Sequence, residues 1–191
     1  LRGHADIPHR SFDENMIVEK KDGTLWMLTR TFDGIGESFS NDGGYTWTPG
    51  RKSHIDGPCS RFHIRRLKSG RLLMINHYQF DQRIDLDDIM RQGNVKSWKG
   101  RSHLTALLSE DDGKTWPYTL LLDERNEVSY PDAKEAADGY IYVTYDWERV
   151  TQREILMARF TEEDILKGQL SSPNGKLRIL VNKATGQPDI H

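Results

Sequence analysis

Ser109-Glu110-Asp111-Asp112-Gly113-Lys114-Thr115-Trp116 repeats an octet met earlier in the chain, Ser40-Asn41-Asp42-Gly43-Gly44-Tyr45-Thr46-Trp47. Both read S-x-D-x-G-x-T-W, with five of eight positions specified. Each octet follows a short apolar run, Gly34–Phe39 in one case and Leu104–Leu108 in the other. These residue types predict a hairpin turn. The Asp carboxylate accepts from backbone N–H groups across the turn, and Gly takes the φ > 0 position. The Trp then packs its ring at the start of the following strand. A turn specified twice marks an internal repeat, which governs how the rest of the chain is read.

Residues 1–11 are a polar lead-in with Pro8. From Phe12 the chain gives Asp13–Glu19, a turn at Asp22-Gly23, then Thr24–Arg30. Two β-rich runs around a Gly turn predict a hairpin. Gly34–Phe39 is the third strand, and a fourth lies near Trp47. The unit recurs as Ser60–Leu67, Ser69-Gly70 and Arg71–His77, and again as Tyr130–Ala136, Asp138-Gly139 and Tyr140–Asp146. Arg101–Leu108 and Arg153–Phe160 are the later third strands. In the last unit Thr161-Glu162-Glu163-Asp164 replaces the octet and predicts a capped helical turn, with Thr161 as N-cap. Lys176–Val181 supplies a last outer strand. The reading is therefore all-β, with three four-stranded units at about 12–57, 58–127 and 128–183. Such units are β-propeller blades, which bury their faces on neighbouring blades. That explains second strands apolar on both faces. Residues 78–100 form a polar insertion in the middle unit, read as a solvated loop or a lid.

The formal net charge of −2 gives no global field to draw the chain to nucleic acid or anionic lipid. An anionic substrate must then be held by locally placed arginines. Cys59 is the single cysteine, so no intrachain disulfide forms. No apolar run is long enough for a membrane-spanning helix. Phosphate-loop, dinucleotide and zinc-helix motifs are absent, and the seven His residues have no metal-ligand spacing. No cofactor or metal is expected. Leu1-Arg2-Gly3-His4 carries neither an initiator Met nor a signal-peptide apolar segment and reads as a cut end.

The repeat also supplies a register. Eight positions before each first turn stand Glu14, Arg61 and Tyr130. First strands are innermost in a propeller, so these side chains should ring the mouth of the central channel. A carboxylate, a guanidinium and a phenol converging there is not what packing selects. Taken singly, each is also compatible with a strand-end charge or a half-buried β-former. Arg30 and His77 close the second strands of the first two units.

The octet resembles the Asp-box (BNR) turn of the sialidase-type β-propellers, a rim feature that does no chemistry itself. Further motifs agree in order. Asp13-Glu14-Asn15-Met16-Ile17-Val18-Glu19…Asp22-Gly23-Thr24-Leu25…Arg30 is similar to the sialidase strand N-E-x-x-V-V-E-x-x-D-G-x-L-x-x-x-x-R. Ser129-Tyr130-Pro131-Asp132 with Asp138-Gly139 and Thr144-Tyr145-Asp146 resembles the A-Y-S-D strand, turn and L-Y-E. Arg101-Ser102-His103-Leu104 matches the R-x-x-L run. The resemblance spans about residues 12–183. It implies a six-bladed propeller of which this chain is the C-terminal half, with N-terminal blades needed to close the ring and one blade face left exposed.

It further implies a retaining exo-α-sialidase. Tyr130 becomes the nucleophile, Glu14 its base partner, and Arg30 and Arg101 two of three arginines on the sialic acid carboxylate. The chemistry explains these types: a neutral phenol avoids the repulsion that an anionic nucleophile would meet at an anomeric carbon bearing a carboxylate. Sialidases with a Tyr nucleophile stand outside the two-carboxylate glycosidase scheme. Arg61 and His77 are further candidate substrate contacts. Pro131 restricts Tyr130 to extended dihedrals, and Asp146 stands where Glu is common. Ile7-Pro8 is similar to the end of the R-I-P motif, but Asp6 replaces its arginine. The third arginine and the Asp general acid fall outside this chain, so the isolated chain is expected to be inactive on sialosides. A secreted or periplasmic location follows from the resemblance alone. Two alternatives stay open: a non-catalytic Asp-box propeller binding glycans or proteins, and a propeller hydrolase for neutral sugars. An Arg-rich channel argues against the second.

Overall fold

The computed structural model describes residues 5–79 and 100–186. Three hairpins set its pattern, each closed by the same turn. Lys20 N–H donates to Thr24 O at 2.8 Å, Leu67 N–H to Arg71 O at 2.9 Å and Ala136 N–H to Tyr140 O at 2.8 Å. In each turn a glycine takes a left-handed φ: +85° at Gly23, +88° at Gly70 and +85° at Gly139. The strands so joined are β1 (Arg10–Glu19) with β2 (Leu25–Thr31), β5 (His63–Arg66) with β6 (Leu72–His77), and β9 (Val128–Glu135) with β10 (Tyr140–Trp147). Outward follow β3 (Gly34–Ser40) and β4 (Arg51–Lys52), β7 (Leu104–Ser109) and β8 (Tyr118–Asp123), and β11 (Glu154–Thr161) and β12 (Lys176–Lys183). The result is three four-stranded antiparallel sheets, ordered β1-β2-β3-β4, β5-β6-β7-β8 and β9-β10-β11-β12.

The inner strands lie side by side, β1 against β5 and β5 against β9, while β8 meets β12 further out. This is a partial β-propeller. The middle sheet is covered on both faces, and its strands alternate between two cores. Leu73 and Ile75 of β6 face Ile141, Val143 and Phe160 of the third sheet. Leu72 and Met74, the intervening residues, face Trp26, Leu28 and Ile35 of the first. A period of two with both faces apolar is what a strand buried between two sheets requires. The end sheets keep apolar residues in solvent, Ile17 at 51 % on β1 and Val181 at 54 % on β12.

The two octets share the Asp–Thr bonds of the turn. Thr46 N–H donates to Asp42 Oδ1 at 2.8 Å and its hydroxyl to Oδ2 at 2.6 Å. Thr115 reaches Asp111 at 2.9 and 2.6 Å. The Thr115 hydroxyl is the main cause holding the Asp111 carboxyl down to about 2. The glycines differ in surroundings. A Cβ on Gly113 would lie 2.4 Å from Trp26 Cζ3, whereas one on Gly44 would meet nothing closer than 3.8 Å. The second octet is therefore wedged against the first sheet. Both Ala substitutions force a left-handed Cβ, costing about 1–2 kcal/mol. Gly113→Ala adds an overpacking cost of about 1–3 kcal/mol. Its denaturation midpoint is expected well below that of Gly44→Ala; equal losses would contradict the wedge.

Where a third octet would sit, Thr161 caps the helix α1 (Glu162–Lys167) through a capping box with Asp164. Asp164 also accepts from Ser171 and Ser172 backbone N–H groups, tying the α1–β12 connection down. The fourth strand of the first sheet is only two residues long and begins beyond Trp47. The insertion at 78–100 lies, apart from Tyr78, Gln79 and Gly100, outside the described residues. Among those described, no helix is long and apolar enough to cross a membrane.

Candidate active site

Two inner strands lose their regular ladder at the same end of the hub. β1 shifts register between Arg10 and Asn15, and β9–β10 between Thr144 and Asp146. Such irregularities re-aim side chains and recur beside active sites. Glu14 lies in the first and Tyr130 in the second. Tyr130 donates its phenol hydrogen to Glu14 Oε1 at 2.6 Å, across 116 residues of chain. Arg30, from the end of β2, donates through Nη1 to Glu14 Oε2 at 2.6 Å and to the Tyr130 oxygen at 3.4 Å. Arg101 precedes β7, and its guanidinium lies 5.9 Å from the Tyr130 ring centroid.

Tyr130 departs from the extended conformation that the following proline predicts. Its φ is +56°, in the left-handed region. The displaced register and the bond to Glu14 hold it there; such outliers cost about 1–3 kcal/mol and concentrate at functional sites.

Electrostatics follow from burial against pairing. Burial pushes the Glu14 carboxyl up, but the hydrogen bonds from Arg30 and Tyr130 outweigh it, leaving Glu14 below its ordinary 4.5. It is a carboxylate at neutral pH, ready to accept the phenol proton. Burial works against the charge on Arg30, yet hydrogen bonds to Glu14 and Cys59 raise it overall. Burial, then the neighbouring Arg30, lowers Arg101 to about 10, so it stays cationic at neutral pH. Cys59 links the two arginines: its thiol accepts from Arg30 Nε at 3.4 Å and its carbonyl from Arg101 Nη2 at 3.2 Å.

A cavity of about 740 Å³ opens over this cluster, lined by Arg30, Arg101, Ser129, Tyr130, Glu127 and the β10–β11 loop at 148–151. It has room for a single sugar ring. Among the described residues, no cluster of His, Cys, Asp or Glu has the makings of a metal site.

Two candidates are placed elsewhere. Arg61 precedes β5 rather than opening it, because β5 starts only at His63. It is half-buried and is not among the cavity-lining residues. The ion-pair partner of Glu14 is Arg30. His77 is fully buried, with Nδ1 3.0 Å from Ser102 O and Nε2 3.2 Å from Ser60 Oγ. Burial lowers it from 6.5 to about 4, so it is neutral and holds two loops together. Its folded value lies below the unfolded one, so the native state binds fewer protons between these limits. Stability is full above pH 6.5 and falls as pH drops towards 4. His77→Gln should therefore flatten the loss of urea stability between pH 7 and 5; an unchanged slope would contradict this. His63, also buried and lowered to about 4, leaves a residual slope.

Residue reasoning on the sequence missed Cys59 and Arg149. Cys59 follows Gly57-Pro58 in a connection without periodicity, and Arg149 lies in the polar turn Glu148–Gln152, so neither carried a local signal.

The fold and the cluster define a partial β-propeller of the BNR type, with its polar cluster at the hub. The chain belongs to the BNR repeat-like domain family, whose model matches residues 10–143. Within the wider sialidase/BNR superfamily it is similar to the intramolecular trans-sialidase from Ruminococcus gnavus, solved with oseltamivir carboxylate. That match has 19 % identity and a TM-score of 0.54, and covers 83 % of this chain and 34 % of that one. It is also similar to the leech intramolecular trans-sialidase complexed with 2,7-anhydro-Neu5Ac, at 17 % identity and a TM-score of 0.57, covering 80 % and 24 %. An α-L-arabinofuranosidase from Fusarium graminearum matches at 18 % identity and a TM-score of 0.48, covering 81 % and 47 %. The chain thus spans about a third and a quarter of the two trans-sialidases. The curated proteins gave no match.

Proposed function

We propose that the chain carries the nucleophile half of a retaining exo-α-sialidase that releases terminal sialic acid or a related acidic sugar. The observation that carries this reading is the Tyr130–Glu14–Arg30 cluster, in which a phenol donates to a carboxylate at 2.6 Å under a guanidinium. The Tyr130 oxygen attacks the anomeric carbon, its proton passes to Glu14, and the glycosidic C–O bond breaks. The departing oxygen takes a proton from an acid outside this chain. Water then attacks the same carbon and gives a proton back to that acid's conjugate base, the bond to Tyr130 breaks, and Glu14 returns its proton to the phenolate oxygen. Two displacements give net retention. Arg30 and Arg101 hold the substrate carboxylate, each charge-assisted bond contributing about 1.5–3 kcal/mol.

On this reading the three sheets, at about 12–57, 58–127 and 128–183, are consecutive blades of a six-bladed ring. Blades outside this chain close it and supply the remaining arginine and the acid. The exposed Ile17 and Val181 at the two end sheets support such neighbours. Hydrolysis of a fluorogenic sialoside by the full-length protein tests the reading. The isolated 191 residues should release none. Full-length protein that is inert towards acidic glycosides but binds glycans through an intact Tyr130→Phe site would favour the non-catalytic alternative.

A further inference from the structure

Tyr130 is held in a conformation that it would leave if it were free to. Its φ of +56° and the broken register at Thr144–Asp146 give the ring no ladder support of its own. What faces the ring is Arg149, whose guanidinium carbon lies 4.3 Å from the ring centroid, closer than that of Arg101. Arg149 is itself fixed, with Nε 2.9 Å from Asp146 Oδ2. The other oxygen of Asp146 accepts from Ser129 Oγ at 2.7 Å, and Ser129 precedes Tyr130 in the chain. Ring, guanidinium, carboxylate and hydroxyl thus close a loop around one backbone kink.

The loop that carries Arg149 is built rather than loose. Arg153 N–H donates to Glu148 O at 2.7 Å, and Glu148 N–H to Glu127 O at 3.0 Å. Beside it, the Arg125 guanidinium lies 3.8 Å from the Trp147 ring, and Trp147 Nε1 donates to Asn126 O. A cation over an aromatic face is drawn to the ring quadrupole, an attraction that works against the strain at Tyr130.

We propose that Arg149, latched by Asp146, is the positioning residue of Tyr130: it presses on the ring face and keeps the hydroxyl on Glu14. This rests on the reading of Tyr130 as nucleophile only for its kinetic consequence. A small displacement of a reacting group costs up to about 100-fold in rate. Arg149→Met should therefore lower kcat by roughly 10–100-fold with KM nearly unchanged. Asp146→Asn should do so less.

A second readout does not depend on activity. In full-length protein labelled with fluorotyrosine, the Tyr130 resonance is the line lost in Tyr130→Phe. Arg149→Met should move that line while those of Tyr45 and Tyr118 stay in place. A Tyr130 line unmoved by Arg149→Met overturns the proposal whether or not the protein is active. So does a raised KM with kcat unchanged, which would make Arg149 a substrate contact. A line that moves in a protein inert towards acidic glycosides supports the positioning role and sinks the sialidase reading instead.

Discussion

On the proposed function, replacing Tyr130 with Phe is expected to lower sialoside turnover by the full-length protein more than about 10³-fold while leaving the fold intact. The magnitude follows from losing a covalent nucleophile, whose removal costs far more than that of a supporting group. The fold survives because only the hydroxyl goes, and Glu14 keeps Arg30 at 2.6 Å. No buried charge is left without its partner. Glu14→Gln keeps a hydrogen-bond acceptor but cannot take the proton, so its loss is smaller, about 10²–10⁴-fold. Tyr118→Phe serves as the control, since that hydroxyl meets Glu110 on the exposed side of β8. Unchanged turnover in Tyr130→Phe would remove the nucleophile assignment.

Arg30→Met is expected to be the most damaging substitution for stability. The Arg30 side chain is 1 % exposed and holds Glu14, Cys59 and Tyr130 at once. Deleting it leaves the Glu14 carboxylate without its ion-pair partner, at about 3–5 kcal/mol. For a chain of this size that is about 6–20 °C of thermal midpoint. The cost comes from the stranded charge, so neutralising Glu14 should recover much of it. The double variant Arg30→Met/Glu14→Gln should be more stable than the sum of the two single losses predicts. Additive losses would show that Arg30 acts through packing alone.

Much of this could be read from residues, and the misses share a cause. The octets and the glycine turns are local chemistry, since an Asp, a Ser and a Thr satisfy one another within eight residues. Gly23, Gly70 and Gly139 mark each hairpin for the same reason. The counting register brought Glu14 and Tyr130 together because both units pair from the same turn. It failed for Arg61 because β5 starts two residues later, at His63, so equal distance from the turn no longer means an equal place in the sheet. His77 misled because closing a second strand says nothing about which side of it water reaches. The left-handed Tyr130 is set by a register shift and by Glu14, 116 residues away, neither of which Pro131 can report.

The central expectation of the proposed function is a covalent bond between Tyr130 and an acidic sugar. Incubating the full-length protein with a difluorinated sialic acid tests this. Its fluoride leaves readily, while its second fluorine slows the following hydrolysis by disfavouring the oxocarbenium-like transition state. Peptide mass mapping should find one sugar on the segment that contains Tyr130, and none in Tyr130→Phe. An adduct on Glu14, or steady sialoside turnover with no trapped tyrosine, would contradict it.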